Sequence, residues 1–289
     1  MDRTRILSQV KRIRLISTEL VESLLAGNYR SVFKGPGIEF DEVREYVEGD
    51  DARLIDWNVS SRLNDIYTKT FREERELSLF LIVDISQSLE TGSLRSRRDV
   101  QNILVALFTL AAVQNNDRVG AAFFTDRIEH WVPAVKGKKH ALRLIQDTVS
   151  FIPEGNGSDL GTALRAAAEA LKRRGIVVVL SDFKTSNYSR DLSLLARRQD
   201  VIAVRITDPL DTNYPRTGLV QLRDPETGRT VLASGFSGKF RRQYHEFWEA
   251  QRRQWQRECL RRRVSTLEIS TDEDPAAKLI QFFRRRRKS

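Results

Sequence analysis

The stretch SLFLIVDISQSLETGS at residues 78–93 joins a strand-like apolar segment to a polar loop. Residues 78–83 supply the large and β-branched apolar side chains of a strand that is covered on both faces. One carboxylate and two hydroxyls follow at alternate positions, as Asp84, Ser86 and Ser88. Because open α/β sheets bind ligands at the carboxyl ends of their strands, the stretch predicts an α/β fold with a site after this strand.

The pattern beyond this strand is an alternation of strands and helices. Strands are predicted at 77–83, 119–124, 128–132, 176–180, 201–206 and 264–269, and helices at 95–115, 139–150, 160–174 and 275–284. Such alternation is typical of a doubly wound, mostly parallel, Rossmann-type sheet covered on both faces, here with 128–132 as an edge strand. A predicted hairpin insertion at about 212–236 and a predicted basic helix at 238–262 separate the strand at 201–206 from the last strand at 264–269.

The chain divides into two predicted domains. Residues 1–76 contain an amphipathic helix at 4–26 and a small, irregular polar module with a few short strands, and residues 77–289 form the α/β domain. The 289 residues are 40% hydrophobic, which is enough for a core. The single cysteine excludes a disulfide framework, and no apolar run approaches the roughly 20 residues of a transmembrane segment. We therefore expect a soluble, cytoplasmic protein.

The formal charge of +10 is concentrated near the C-terminus, in residues 239–263 and the tail 284–289. We interpret this region as a solvated helix face and a tail, with nucleic-acid or anionic-surface binding as the alternative. The aromatic residues of the basic helix follow helical spacing, so they are expected in the core and not as a platform for bases. These residues, with a cysteine, are Phe240, Tyr244, Phe247, Trp248, Trp255 and Cys259. Specific nucleic-acid recognition is therefore not predicted.

Three loops are expected to meet at one edge of the sheet, because each follows a parallel strand or opens the helix beside one. They carry Asp84, Ser86 and Ser88; Ser158 in GNGSDLGTAL; and Asp182 in VVVLSDF. Hydroxyls and carboxylates without nitrogen or sulfur suit a hard cation. The loops therefore predict a divalent-cation site, with Mg²⁺ preferred and Mn²⁺ or Ca²⁺ as alternatives.

The motifs DISQS, GSDLGTAL and LSDF resemble the metal-ion-dependent adhesion site of von Willebrand factor type A domains, with Ser158 where that family has threonine. The stretch GIEFDEVREYVEGDDARLIDW at 37–57 resembles the signature of the bacterial domain of unknown function 58 family. The resemblance implies a von Willebrand factor A-like domain that works with AAA+ ATPases of the MoxR type. A protein ligand that offers Asp or Glu to the metal would fit such a site.

A polar cluster in the first domain is a possible second partner-binding surface. Its residues are Glu39, Arg44, Asp50, Asp51, Arg53, Asp56 and Trp57. The alternative is a network of paired charges that stabilises the module itself.

The residues argue against several enzyme classes. In haloacid dehalogenase phosphatases a second Asp follows the first by two residues, and Ser86 at that position is a poor proton donor and acceptor. The three histidines, His130, His140 and His245, are expected at the surface, and no Walker A motif is present. We therefore predict a non-enzymatic, metal-dependent adaptor, with a phosphatase-like hydrolase as the alternative.

Overall fold

The computed structural model describes residues 39–63, 65–72, 77–155, 157–223 and 230–286. These residues belong to two compact units, one ending at Leu77 and the other beginning at Ser78. The helix predicted at 4–26 and the last three residues of the basic tail lie outside the described residues. None of the helices in these ranges combines the length and the apolar character needed to cross a membrane.

The smaller unit is a two-stranded antiparallel sheet with one helix. Its elements are β1 (Glu39–Glu45), a 3-10 turn (Ala52–Leu54), α1 (Trp57–Leu63) and β2 (Tyr67–Arg72). Asp56 caps α1 by accepting hydrogen bonds from the backbone amides of Asn58 and Val59. Asp51 caps the 3-10 turn in the same way, through the amide of Arg53. The predicted small module with short strands is confirmed.

The larger unit is built on a six-stranded sheet. Its strands are β3 (Ser78–Asp84), β4 (Arg118–Phe124), β5 (Ile128–Val135), β6 (Ile176–Ser181), β7 (Asp200–Thr207) and β10 (Ser265–Ser270). Their order is β10-β7-β6-β3-β4-β5; β5 runs antiparallel to β4 at one edge, and the other neighbours are parallel. Every residue of β6 is buried, as expected of a central strand covered on both faces. The predicted fold class and edge strand are confirmed.

Helices cover both faces of this sheet. They are α2 (Arg97–Gln114), α3 (Lys138–Ser150), α4 (Leu160–Ala170), α5 (Ser189–Arg198), the short α6 (Pro209–Thr212), α7 (Gly238–Arg261) and α8 (Pro275–Arg286). On one face, Phe80 and Ile82 of β3 share a core with residues of α4, α5 and α7. On the other face, α2 packs against α3 and α8, with Phe108 meeting Phe283 edge to face. A hairpin of β8 (Leu219–Arg223) and β9 (Thr230–Ser234) precedes α7.

Two helix ends differ from the prediction. The helix predicted to reach residue 174 ends at Ala170, because the Gln199 side chain accepts from the Gly175 amide and donates to the carbonyls of Leu171 and Arg173. These contacts draw the chain into β6. The last helix continues beyond residue 284 to Arg286, whose guanidinium pairs with Asp200. Part of the predicted basic tail is therefore helical and attached to the sheet.

The aromatic residues of α7 are only partly buried. Trp255 and Cys259 lie in the core as predicted, but the prediction is wrong for Phe247, which is 55% exposed. Phe247 directly precedes Trp248, and successive residues of a helix point about 100° apart. The ring of Phe247 therefore faces away from the stripe that packs on the sheet.

Two buried aspartates join the loops at the carboxyl end of the sheet. Asp208, after β7, accepts from the amide of Ser93 at 2.8 Å and from the hydroxyl of Thr271 at 2.6 Å. Asp211 accepts from Arg97 at 2.6 Å and from Lys184 at 2.8 Å. The loops that follow β3, β6, β7 and β10 are thus held together by two carboxylates.

Replacing Asp211 by alanine should strongly destabilise the larger unit. The Arg97 side chain is 5% exposed, so losing Asp211 leaves a buried guanidinium without its ion pair, at a cost of about 3–5 kcal/mol. Chemical denaturation of the Asp211→Ala protein measures this loss. The matched control is Glu154→Ala, which removes an exposed acid paired with Arg127 and should change stability by less than about 1 kcal/mol. Equal effects of the two substitutions would contradict the role given to Asp211.

Candidate metal centre

The carboxylate of Asp84 lies at the end of the central strand β3 and is completely buried. One oxygen, Oδ1, accepts from the amide of Ser86 at 3.0 Å. The other, Oδ2, accepts from the hydroxyl of Ser181 at 2.7 Å and from that of Ser158 at 3.1 Å. Three loops therefore meet at one side chain, as the order of the motifs predicted.

The loop after β3 presents its two hydroxyls side by side. The Oγ atoms of Ser86 and Ser88 are 3.2 Å apart; Ser86 is buried, and Ser88 is partly exposed. Gln101 on α2 supports this loop from below, because its side-chain amide donates to the carbonyls of Asp84 at 2.8 Å and Leu180 at 3.3 Å. This glutamine fixes the ends of β3 and β6 relative to each other.

The loop that carries Ser158 is held by a buried glutamate. Glu129 accepts from the amide of Gly155 and from the hydroxyl of Thr125, both at 2.7 Å. Burial favours the neutral acid, but these hydrogen bonds outweigh it and hold the pKa of Glu129 below its ordinary value. A Cβ at Gly155 would collide with Thr125, so the loop can approach this closely only with glycine. On the other side, Thr185 donates to the Ser158 carbonyl at 2.8 Å.

Asp182 opens the third loop, directly after β6, and is 4% exposed. Its Oδ1 accepts from the amide of Lys184 at 3.1 Å, whereas its buried Oδ2 has no hydrogen-bond partner. The next residue, Phe183, has a left-handed backbone with φ of 54°, which is unusual for a residue other than glycine. The amide of Phe183 donates to Ser181, which itself donates to Asp84.

The negative charges of Asp84 and Asp182 repel each other in a buried environment. Burial, and next the negative charge of Asp182, raise the pKa of Asp84 to about 6, against the opposing effect of its serine hydrogen bonds. Neither carboxylate forms an ion pair with any residue that the structure describes. The nearby ammonium of Lys184 pairs with Asp211 instead. The charge of the largely buried Arg98 also acts on Asp84, but the two form no ion pair. Two buried carboxylates that lack an ion-paired counterion are an environment that a divalent cation would stabilise.

The donor set fits a hard cation. It consists of the two carboxylates and the hydroxyls of Ser86, Ser88 and Ser158, all of them oxygen. No group of three or more His, Cys, Asp or Glu side chains suited to a metal occurs in the described part of the chain, which argues against a zinc-type site. The five residues predicted from the sequence thus lie together, and their role as metal ligands stays a prediction.

The supporting residues were missed by sequence reasoning. Ser181, Gln101 and Glu129 contact the site residues or their loops; Ser181 lies in the motif LSDF but was not singled out, and Gln101 and Glu129 stand in no recognisable motif. Ser181 had the clearest signal, since a hydroxyl directly before Asp182 interrupts an otherwise apolar strand. Nothing near Gln101 or Glu129 indicates which loop each would reach.

The polar residues predicted as a second binding surface lie in the smaller unit, and most form ion pairs within it. The pairs are Arg44 with Asp50 at 2.8 Å, Asp51 with Arg53 at 3.1 Å, and Asp56 with Lys69 at 3.3 Å. Trp57 is 69% exposed, and Glu39 begins β1. A partner-binding role for these residues stays a prediction.

Comparison with known proteins places these features in a family. The family model described as "Protein of unknown function DUF58" matches residues 42–254. An uncharacterized protein of Mycobacterium tuberculosis is 29% identical over 292 residues, covering 100% of this chain and 92% of the relative.

Solved structures with a similar fold are more distant in sequence. An aerotolerance-related membrane protein from Bacteroides fragilis is 16% identical with a TM-score of 0.46, over 72% of this chain and 99% of that one. A von Willebrand factor type A protein from Catenulispora acidiphila is 13% identical with a TM-score of 0.41, over 77% of this chain and 44% of that one.

Replacing Asp84 by asparagine should stabilise the chelator-treated protein at pH 8. Because the pKa of Asp84 is raised in the folded chain, protonation of Asp84 favours folding below pH 6, and this contribution is lost as pH rises through about 6. Above that pH the charged Asp84 costs on the order of 2–3 kcal/mol, which the neutral amide avoids. Urea denaturation in EDTA at pH 5 and pH 8 measures the difference. A wild-type protein as stable as Asp84→Asn at pH 8 would refute the electrostatic account.

Proposed function

The chain belongs to the DUF58 family, and we propose that it is a non-enzymatic adaptor whose candidate metal centre binds an acidic side chain of a partner protein. The observation that carries this proposal is the pair of buried carboxylates, Asp84 and Asp182, which form no ion pair with a described residue and lie beside hydroxyls that reach the surface. A divalent cation would neutralise the pair from the protein side. Its outer coordination position would then accept a carboxylate from a partner.

The exposure of the hydroxyl ligands supports an open outer position. Asp84, Ser86 and Asp182 are buried, whereas Ser88 and Ser158 are partly exposed. A cation held by these residues would therefore be enclosed by protein on the side of the buried ligands and accessible to solvent on the side of Ser88 and Ser158. Mg²⁺ suits this arrangement, because it keeps some of its coordination positions for water or for a ligand. Mn²⁺ and Ca²⁺ accept the same donors.

The surroundings of the site support binding in preference to hydrolysis. The described histidines are engaged elsewhere: His130 stacks between Phe123 and Phe151, His140 contacts the carbonyl of Val119, and His245 contacts that of Thr212. His130 and His140 are partly buried, so the expectation that all three lie at the surface is wrong. No histidine is thus placed to act as a general base at Asp84.

The partner proposed here is an AAA+ ATPase of the MoxR type, on the strength of the family resemblance. An ATPase partner would supply the hydrolysis for which this chain has no Walker A motif. We propose a cytoplasmic location, which is compatible with the single, unpaired Cys259. The assembly or maturation of other proteins is the process that such a pair would serve.

Magnesium should stabilise the wild-type protein. A ligand that binds the folded state at a hundredfold excess over its Kd adds about 2.7 kcal/mol to the free energy of unfolding. We expect Mg²⁺ to raise the Tm of the wild-type protein at pH 8 and to leave that of Asp84→Asn unchanged. The control is Asp272→Asn, which neutralises an exposed acid on the loop after β10 and should keep the full response. A response in Asp84→Asn equal to that of the wild type would place the metal elsewhere.

Binding to a MoxR-type ATPase should depend on the metal. Calorimetric titration of the ATPase into wild-type protein should give binding in Mg²⁺ that falls at least about tenfold in EDTA, because one coordinated carboxylate is lost. Asp84→Ala should show the weak affinity under both conditions, and Asp272→Ala should behave like the wild type. Equal affinity with and without metal would refute the adaptor mechanism, and phosphatase turnover abolished by Asp84→Asn would favour the hydrolase alternative.

A further inference from the structure

A cavity of about 400 Å³ lies between the loop of residues 183–189 and helix α7. The loop begins directly after Asp182 of the candidate metal centre. Its lining combines aromatic and hydrogen-bonding side chains, chiefly Tyr188, Arg205, Phe247, Trp248, Gln251 and Trp255. Tyr188 and Trp255 also belong to the core on this face of the sheet.

Arg205, near the end of β7, is a buried cation whose guanidinium has no hydrogen-bond acceptor among the described residues. It is 6% exposed, and its guanidinium forms neither a hydrogen bond nor an ion pair with the residues described in the structure. It lies over the ring of Trp255, with 5.5 Å from its Cζ to the ring centroid. The Nε1 of Trp255 is buried and likewise lacks an acceptor. Two buried donors thus line one cavity with no acceptor for either.

The acid that faces Arg205 in the sheet, Glu268, is shared with Arg252: burial raises the pKa of Glu268, and the charges of Arg252 and Arg205 both oppose that rise. Glu268 lies opposite Arg205 in the register of β7 and β10, but its Oε1 pairs with Arg252 at 2.8 Å. Within the fold, Arg205 contacts the ring of Trp255 and shares the charge of Glu268, but neither contact gives its Nε a hydrogen-bond acceptor. A bound anion would supply an acceptor through charge-assisted hydrogen bonds.

The charge of the cavity favours a carboxylate over a more highly charged anion. Lys184 at its rim is already paired with Asp211, and Glu258 is held by the hydroxyl of Ser189 at 2.6 Å. The guanidinium of Arg205 is thus the cation of the cavity lining that forms no ion pair with a described residue, and its single charge matches one negative charge and not two. Arg205 also borders a second cavity, but carboxylates crowd that one and would repel an anion; they include Asp208, Asp211, Glu249, Asp272 and Glu273.

We infer that the cavity between the 183–189 loop and α7 binds a glutamate or aspartate side chain of an acidic peptide, with the guanidinium of Arg205 as its anchor. The ring of Trp255, which packs against the guanidinium, forms the adjoining part of the cavity wall. Hydroxyl and amide side chains at the rim, among them Thr185, Asn187 and Gln251, suit the peptide backbone. The inference does not require the metal, so it stands apart from the proposed function.

Fluorescence anisotropy with a fluorescein-labelled hexaglutamate peptide tests the site in the full chain. EDTA is present throughout, so that the metal centre cannot contribute. We expect Arg205→Met to weaken binding about tenfold or more, because a charge-assisted hydrogen bond is lost. The matched control is Arg253→Met, which removes the same charge from an exposed position of α7 and should change the affinity less than twofold. Asp84→Ala should bind the peptide like the wild type.

Further measurements distinguish peptide binding in this cavity from a purely structural role of Arg205 and from nonspecific electrostatic attraction of the peptide. Arg205→Met should be about as stable as the wild type, because the guanidinium forms no hydrogen bond or ion pair within the described part of the chain and a methionine can still pack on the ring of Trp255. Acetate should displace the peptide at lower concentration than inorganic phosphate does. A large loss of stability in Arg205→Met, an equal loss of affinity in Arg253→Met, or stronger competition by phosphate would each overturn the inference.

Discussion

The buried carboxylate of Asp84 is the constraint on which the carboxyl end of the sheet depends. Asp84 is the last residue of the central strand and is fully buried. Its two oxygens accept hydrogen bonds from one amide and two hydroxyls, which belong to two loops and to the end of β6. Its charge is opposed by burial and by Asp182, which makes the site unfavourable at neutral pH without a cation. A chain selected for stability alone would place an apolar or neutral residue at this position. The cost therefore points to a binding function.

The residues around Asp84 form a rigid frame. Gln101 joins the ends of β3 and β6, Glu129 holds the loop of Ser158, and the pair Asp208 and Asp211 ties four strand ends together. Ligands held by such a frame are positioned before the metal or the partner arrives, so that binding loses less conformational entropy. The loop after Asp182 contacts the Ser158 loop through Thr185 and also lines the Arg205 cavity.

Much of the fold and of the site could be predicted from the sequence, because strand polarity determines where the loops lie. Apolar runs ending in Asp84 and Asp182 indicate parallel strands, and parallel strands bring their carboxyl ends to one edge. The partners of these residues could not be predicted, since Gln101 and Ser181 reach Asp84 only through the order of strands in the sheet. Phe247 was misassigned because one residue of helical rotation separates it from Trp248. From the sequence alone Arg205 cannot be distinguished from an ordinary strand residue, because the sequence does not show which residues surround it in the fold.

The central claim is that Asp84, Ser86, Ser88, Ser158 and Asp182 hold a divalent cation. Anomalous scattering from a crystal of the protein grown with Mn²⁺ tests it most directly. The account predicts one strong anomalous peak beside Asp84 at the carboxyl end of β3, within coordination distance of the serine hydroxyls and absent from Asp84→Asn crystals. A well-ordered site without a peak, or a peak bound only by other residues, would contradict it.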